Sequence, residues 1–189
     1  MPTHVALLRG INVGRANRIT MADLRSVVAG LGHPEVATYL QSGNVVFTPA
    51  GGTPPSALAA ELGTAIEDSL GVSCHVIVLR SKEWRTIVAA NPYPAQAASD
   101  PTTVHAAIQQ DDLTETERQT LTRVLGEAEA SGSPDHLTVG RRTVYLSTPG
   151  GLGRSTLAQR LTRATGAGQD RATARNWRTV EAIARLLDA

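Results

Sequence analysis

Cysteine and long apolar runs are nearly absent from this sequence of 189 residues. The single cysteine, Cys74, excludes an internal disulfide and a cysteine-rich zinc site. The apolar stretch near the start, Val5 to Leu8, is far shorter than the ~7–15 residues of a secretory signal core. No run approaches the ~20 apolar residues of a membrane span. We therefore expect a cytoplasmic protein without a membrane partner.

Aromatic residues and lysine are also scarce. The sequence holds two tryptophans, three tyrosines and one phenylalanine, and Lys82 is its only lysine. So few rings weigh against the stacking platform with which single-stranded nucleic acids are usually read. The apolar content of 41% is nevertheless ordinary. A chain of this length can therefore bury the core of one large or two small domains without a metal or disulfide.

Charge is distributed unevenly although the net charge is only +1. Residues 137–189 hold nine arginines against three carboxylates, a balance of +6, so residues 1–136 carry −5. A basic C-terminal region predicts an anionic partner there. A solvated basic face is the alternative, and the composition leaves both open.

The first 80 residues show the element order β-α-β-β-α-β. Short apolar runs indicate strands at His4 to Leu8, Val36 to Leu40, Asn44 to Thr48 and Cys74 to Leu79, with Ser42-Gly43 as a hairpin turn. Helical periodicity follows Thr20, whose capping partner is Asp23, and resumes after Thr53-Pro54. This order is that of a ferredoxin-like unit.

A similar order is predicted for the second half. Residues 81–102 form a helix and a proline-rich linker, in which Asn91 to Pro101 is expected to lack regular structure. Residues 103–189 then give a strand, a helix capped by Thr114 and Glu117, a hairpin around Gly140-Arg141 and a helix from Ser155 to Thr165. A final helix from about Ala174 is expected to replace the last strand. The sequence thus predicts an α+β protein with two ferredoxin-like β-α-β-β-α halves, whose antiparallel-containing sheets are covered by helices.

Polar and glycine residues follow the first two strands, and the topology brings these two loops together. In a split β-α-β unit the first and second strands run parallel, so their loops leave at the same sheet edge. Glycine loops present backbone N–H groups to anions, and arginine adds bidentate donors. Ordinary turn residues that satisfy loop backbone are the alternative. The candidate binding residues are Arg9, Gly10, Asn12, Gly14, Asn17, Arg18, Gln41, Ser42, Gly43 and Asn44.

Two further clusters lie at predicted helix starts in the C-terminal region. Gly153, Arg154 and Ser155 end a glycine-rich loop, where free N–H groups and the helix dipole would favour phosphate. The loop lacks the spacing and the lysine of a Walker A motif, and a plain turn with Ser155 as helix cap is the alternative. Arg175 and Asn176 are expected around the first turn of the last helix, with Thr173 as its cap.

Motifs of known catalytic sites are missing. Cys74 and His75 are adjacent on a predicted strand and face opposite ways, which excludes a dyad between them. The five histidines show no metal-ligand spacing, and no nucleophile elbow or dinucleotide fingerprint occurs. The sequence therefore predicts no metal site and no cofactor, and it leaves the catalytic residues unknown.

The polar clusters belong to longer motifs that resemble a known family. The motifs are Ala6 to Gly14, Asn17 to Ile19, Met21 to Arg25, Gln41 to Phe47, Gly153 to Ser155, and Thr173 to Trp177 followed by Thr179-Val180. They resemble the bacterial family catalogued as domain of unknown function 1697. Arg15, Ala16 and Arg178 stand where that family usually has glycine, lysine and often asparagine. The resemblance implies an α+β fold with ferredoxin-like halves and brings no established activity.

These observations lead to one main interpretation of function. The chain is read as a module that binds a phosphate-bearing ligand, with nucleic acid ahead of a nucleotide. An enzyme acting on a small anionic metabolite and a protein–protein adaptor are the alternatives. A buried pocket lined by Arg9, Asn12 and Asn44 would favour the enzyme, whereas an open basic groove would favour nucleic acid.

Overall fold

The computed structural model describes residues 1–14, 17–165 and 171–189. It shows a mixed α+β chain with two four-stranded sheets, which confirms the predicted fold class. The chain divides into two compact units. The first unit comprises Met1–Val88 with Glu181–Ala189, and the second comprises Ala89–Val180.

The first unit contains a sheet in the strand order β2-β3-β1-β4, in which all neighbours are antiparallel. Its strands are β1 (His4–Arg9), β2 (Ala37–Tyr39), β3 (Asn44–Phe47) and β4 (His75–Arg80), and its helices are α1 (Met21–Gly30), α2 (Pro55–Leu70) and α3 (Ser81–Ala89). Alternate strand residues such as Ala6, Leu8 and Val78 form one core with Leu24 of α1 and Leu62 of α2. Thr20 caps α1 as predicted, because its hydroxyl accepts the Asp23 N–H at 3.0 Å.

The second unit repeats this topology in the strand order β6-β7-β5-β8. Its elements are α4 (Pro94–Ser99), β5 (Val104–Ile108), α5 (Glu115–Ala130), β6 (His136–Val139), β7 (Thr143–Ser147), a 3₁₀ turn (Leu152–Arg154), α6 (Thr156–Thr165), β8 (Thr173–Asn176) and the start of α7 (Trp177–Leu187). The predicted capping box of α5 is present, since Thr114 and Glu117 each accept the other's backbone N–H.

The second half keeps its fourth strand, so the predicted replacement of that strand by the terminal helix is wrong. Residues Thr173–Asn176 pair with β5 along the register Ile108↔Thr173 to His105↔Asn176. Four residues of mixed polarity carry too little alternation to indicate a strand, and the pairing with β5 decides the conformation. Helix α7 consequently begins at Trp177, and Thr173 lies in the strand instead of capping the helix.

The predicted linker at Asn91 to Pro101 is also partly wrong. Residues Pro94–Ser99 form the short helix α4. Pro94 occupies the first helical position, where the missing N–H of proline has no helical acceptor to lose.

Over the described residues, no helix has both the length and the apolar character needed to cross a membrane.

Candidate functional site

The loops that follow β1 and β2 meet at one edge of the first sheet. Both strands run antiparallel to β3, which lies between them, so they run parallel to each other. The Asn12 side chain donates to the Gln41 carbonyl at 2.7 Å, and the Leu8 N–H donates to the Gly43 carbonyl at 2.8 Å. The predicted convergence of the two loops is therefore confirmed.

Asn12 ties these loops together through hydrogen bonds to backbone. Its Nδ2 donates to the carbonyls of Ile19 and Gln41 at 2.9 and 2.7 Å, and its Oδ1 accepts the Ile19 N–H at 2.9 Å. Both ends of the amide are thus occupied within the protein. Asn12 shapes the site and holds its walls in place.

Close backbone approach fixes the turn between β2 and β3. Gly43 has φ +76°, and a Cβ built on it would lie 2.7 Å from both Leu8 Cβ and Ile11 Cδ1. Only glycine fits there without displacing neighbours. The turn is completed by Asn44, whose Nδ2 donates to the Tyr39 carbonyl at 2.7 Å and to Ser42 Oγ at 3.0 Å.

The first loop contains several residues in the left-handed region. Gly10, Gly14 and Asn17 have φ values of +81°, +65° and +53°. Asn17 closes the loop, since its carbonyl accepts the Asn12 N–H and its Nδ2 donates to the Gly10 carbonyl at 3.0 Å. Arg15 and Ala16, the two departures from the family pattern in this loop, lie outside the described residues.

A cleft of about 420 Å³ opens beside the joined loops. Its lining consists of Asn12, Arg18, Ile19, Thr20, Asp23 and Gln41. Arg18 is exposed, and its one hydrogen bond among the described residues is a long contact of 3.4 Å to the Gly14 carbonyl. The Asp23 carboxylate accepts the Thr20 hydroxyl at 2.7 Å. The cleft therefore offers a guanidinium and a carboxylate beside two loops that Asn12 links by hydrogen bonds.

Three of the ten predicted residues of this cluster, Asn12, Arg18 and Gln41, are among the described lining of the cleft, and Arg9 and Asn44 lie away from it. Side chains alternate along β1 and β3, and Leu8 and Val45 belong to the core that faces the helices. Arg9 and Asn44 therefore lie on the opposite face of the sheet. Asn44 is only 1% exposed. A pocket lined by Arg9, Asn12 and Asn44 together would have favoured an enzyme. The described lining of the cleft includes Asn12 but neither Arg9 nor Asn44.

The glycine-rich loop before α6 leads to a helix start that the protein caps itself. Ser155 is 3% exposed, and its hydroxyl accepts the Ala158 N–H at 2.9 Å. The same hydroxyl donates to Asp135 Oδ2 at 2.8 Å, and that oxygen also accepts the Leu157 N–H at 3.4 Å. The Asp135 carboxylate thus occupies the position that a bound phosphate would take. Arg154 remains exposed, and Gly153 lines an apolar cavity described below.

Arg175 and Asn176 lie in β8, so their predicted placement on the first turn of the last helix is wrong. Arg175 is 8% exposed and donates to Thr173 Oγ1 at 2.7 Å and to the Ala174 carbonyl at 3.0 Å. Burial lowers the pKa of the Arg175 guanidinium to about 10. Asn176 Oδ1 accepts the Thr179 N–H at 3.0 Å and so caps α7.

Two observations concern the single cysteine and the residue types that ligate metals. Cys74 immediately precedes β4, and burial raises the pKa of its thiol to about 11, which keeps it protonated at neutral pH. Among the residues that the structure describes, no three histidine, cysteine or acidic side chains are arranged to hold a metal ion.

Sequence reasoning missed two acidic residues that shape these sites. The sequence predicts Asp23 only as a capping partner of Thr20, and its place in the cleft follows from the position of α1 against the loops. Asp135 gave no signal, because it reaches Ser155 across 20 residues of sequence. For Asp23 the sequence did carry a signal, because its capping partner Thr20 stands two residues after Arg18.

Comparison with known proteins adds a family and a fold. No curated protein matches the chain. The chain is similar to a solved structure, the conserved bacterial protein SP0830 from Streptococcus pneumoniae, with a TM-score of 0.72 and 21% identity over 100% of this chain and 99% of that one. Identity at this level shows a shared fold alone. The sequence profile of a family described as protein of unknown function (DUF1697) matches residues 1–145, and the chain therefore belongs to this family.

Proposed function

We propose that the protein binds a nucleotide in the cleft of its first unit. The observation that carries the proposal is that the exposed Arg18 and Asp23 both line one cleft of about 420 Å³. A phosphate accepts hydrogen bonds from a guanidinium, and a ribose hydroxyl or a base amino group donates to a carboxylate. A nucleotide carries both kinds of group.

The hydrogen bonds that Asn12 makes beside the cleft support the same proposal. Asn12 fixes the loop at Ile19 and Gln41, so the walls need little reordering when a ligand enters. The side chain of Gln41 is exposed at the lining and can both donate and accept a hydrogen bond. These features suit a small polar ligand.

The surroundings of the arginines in the second unit favour a nucleotide over nucleic acid as the ligand. Arg141 and Arg142 lie 3.5 and 3.7 Å from Asp112, and Arg171 lies 3.3 Å from Glu117. Arg175 is buried. Several arginines of the basic C-terminal region therefore face carboxylates of their own unit instead of forming an open basic groove.

The test is isothermal titration calorimetry, in which the full chain is titrated separately with ATP, GTP, AMP and inorganic phosphate. We expect at least one nucleotide to bind more tightly than phosphate. The Arg18→Ala variant should bind it about tenfold or more weakly, because hydrogen bonds to charged groups contribute about 1.5–3 kcal/mol.

Arg25→Ala is the matched control. Arg25 is an exposed arginine of α1 that donates to Thr38 Oγ1 at 2.6 Å and does not line the cleft. Its variant should bind as the wild type does. Equal losses in both variants, or no binding of any nucleotide by the wild type, would contradict the proposal.

A further inference from the structure

The second unit contains a cavity of about 630 Å³ between its sheet and the helices α5 and α6. Its walls are mostly apolar and include Val144, Leu146, Leu121, Leu152 and Leu161. Such a volume lies in the range of sites that bind small organic molecules, which are typically ~300–1,000 Å³.

Among the residues that the structure describes, the second unit buries fewer apolar side chains between its sheet and its helices than the first. In the first unit, β4 presents Val76 and Val78 to the helices, and fifteen of the described residues form the buried core there. In the second unit, the corresponding strand β8 presents Ala174 to the cavity, and seven described residues form the core beneath the helices. The same topology with smaller side chains leaves open space against the sheet.

One buried polar group in the cavity wall lacks a partner. Gln109 follows β5 directly, lines the cavity and is only 5% exposed. Its Nε2 has no hydrogen-bond partner among the described residues. A buried donor without a partner is costly, and this nitrogen is too deeply buried for a ligand in the cavity to reach it where it lies. A half-turn of the amide exchanges its oxygen and nitrogen, so the donor can take the place of the oxygen, and a ligand carbonyl bonded to it there would give it a partner.

The charges in the wall indicate an uncharged ligand. Arg171 and Glu117 both line the cavity and lie 3.3 Å apart, so their charges offset each other. Burying an ionised ligand against the apolar remainder would require a counter-charge that the described wall does not supply.

We propose that this cavity is a second binding site, which takes an uncharged, mainly apolar small molecule with one carbonyl or hydroxyl group bonded to Gln109. The site is independent of the nucleotide cleft and is built entirely from the second unit. Its proposed ligand is uncharged and mainly apolar, whereas the ligand proposed for the first unit is charged.

The test uses prodan, an uncharged naphthalene with a single ketone, whose emission moves to shorter wavelength in apolar surroundings. Full-length wild type should bind prodan with a blue shift. Ala174→Leu fills the space next to the sheet and should weaken binding at least tenfold. Gln109→Leu removes the hydrogen bond and should weaken binding about three- to tenfold.

Two matched controls lie on exposed positions of α5 outside the cavity wall, Ala130→Leu and Gln119→Leu. Both should bind prodan as the wild type does. Absence of binding by the wild type, or equal binding by Ala174→Leu, would overturn the proposal.

A measurement on the wild type keeps the test decisive if a variant does not fold. Isotope-filtered nuclear Overhauser spectra should show contacts from prodan to the methyl groups of Val144 and Leu146. Contacts from bound prodan to methyl groups outside the cavity wall, with none to Val144 or Leu146, would also overturn the proposal.

Discussion

At the scale of single residues, Asn12 connects sequence to site most directly. Its φ of +55° and its three hydrogen bonds to backbone hold the two loops in register. Asparagine tolerates this conformation better than other residues with a Cβ, and its amide matches both a carbonyl and an N–H group.

Asn12→Ala should therefore lower the free energy of unfolding by about 3–5 kcal/mol. Each lost hydrogen bond contributes about 0.5–1.5 kcal/mol, and alanine in the left-handed region adds roughly 1 kcal/mol. Thermal unfolding measures the effect. Asn17→Ala, which loses the single side-chain bond to the Gly10 carbonyl, is the comparison and should cost less. A wild-type melting temperature in Asn12→Ala would contradict this role.

Gly43 allows a test that separates backbone strain from steric clash. Gly43 and Gly132 have nearly the same φ, +76° and +75°, but a Cβ at Gly132 would meet nothing within 4 Å. Gly132→Ala should cost about 1 kcal/mol, whereas Gly43→Ala should cost about 3 kcal/mol because its Cβ also meets Leu8 and Ile11. Chemical denaturation of both variants measures the difference. Equal effects would show that the turn can move aside.

Gln109 should limit stability while it serves the proposed cavity. Gln109→Leu replaces a buried amide whose Nε2 lacks a partner, so we expect the ligand-free protein to gain about 1–2 kcal/mol in stability. Thermal unfolding without ligand checks this, with Gln119→Leu as control. A loss of stability in Gln109→Leu would mean that the amide is satisfied in the folded protein.

At the scale of elements, the start of α5 is stabilised by a charge that depends on pH. Burial raises the pKa of Glu117, but hydrogen bonds from Thr114 and the nearby Arg171 outweigh it and hold the pKa below 4.5. A carboxyl group with a lowered pKa stabilises the fold above its unfolded pKa, and this contribution is lost as the pH falls through the folded value.

Glu117→Gln should consequently destabilise the protein at pH 7 and have a smaller effect near pH 3. Urea unfolding at the two pH values measures this. Glu115→Gln, in the same helical turn but outside the capping box, is the matched control and should show less pH dependence. An effect of Glu117→Gln that is equal at both pH values would contradict the electrostatic explanation.

At the scale of the whole molecule, folding removes the charge asymmetry seen along the chain. The second unit, residues 89–180, holds ten arginines and nine carboxylates, and the first unit holds eight basic and eight acidic residues. The acidic middle of the sequence and most of the basic C-terminal region thus belong to one nearly neutral unit. The asymmetry is a property of chain order.

Duplex DNA should therefore bind weakly and with a shallow dependence on salt. A protein that neutralises several phosphates loses affinity with a slope of about 0.9 per contact on logarithmic axes. Fluorescence anisotropy with a labelled 20-base-pair duplex, from low to physiological salt, should give a slope below about 2. A steep slope with tight binding would restore nucleic acid as the leading ligand.

The sequence by itself determined the α+β class, the first β-α-β-β-α-β unit, the caps at Thr20 and Thr114, and the meeting of the two polar loops. These features follow from local periodicity, capping chemistry and the handedness of strand crossovers. Only tertiary structure decided that Thr173–Asn176 form a strand, that Asp135 fills the start of α6, and that Gln109 lies beside an open cavity. Each of these depends on residues far apart in the chain, whose pairing and packing leave no periodic signal in the sequence.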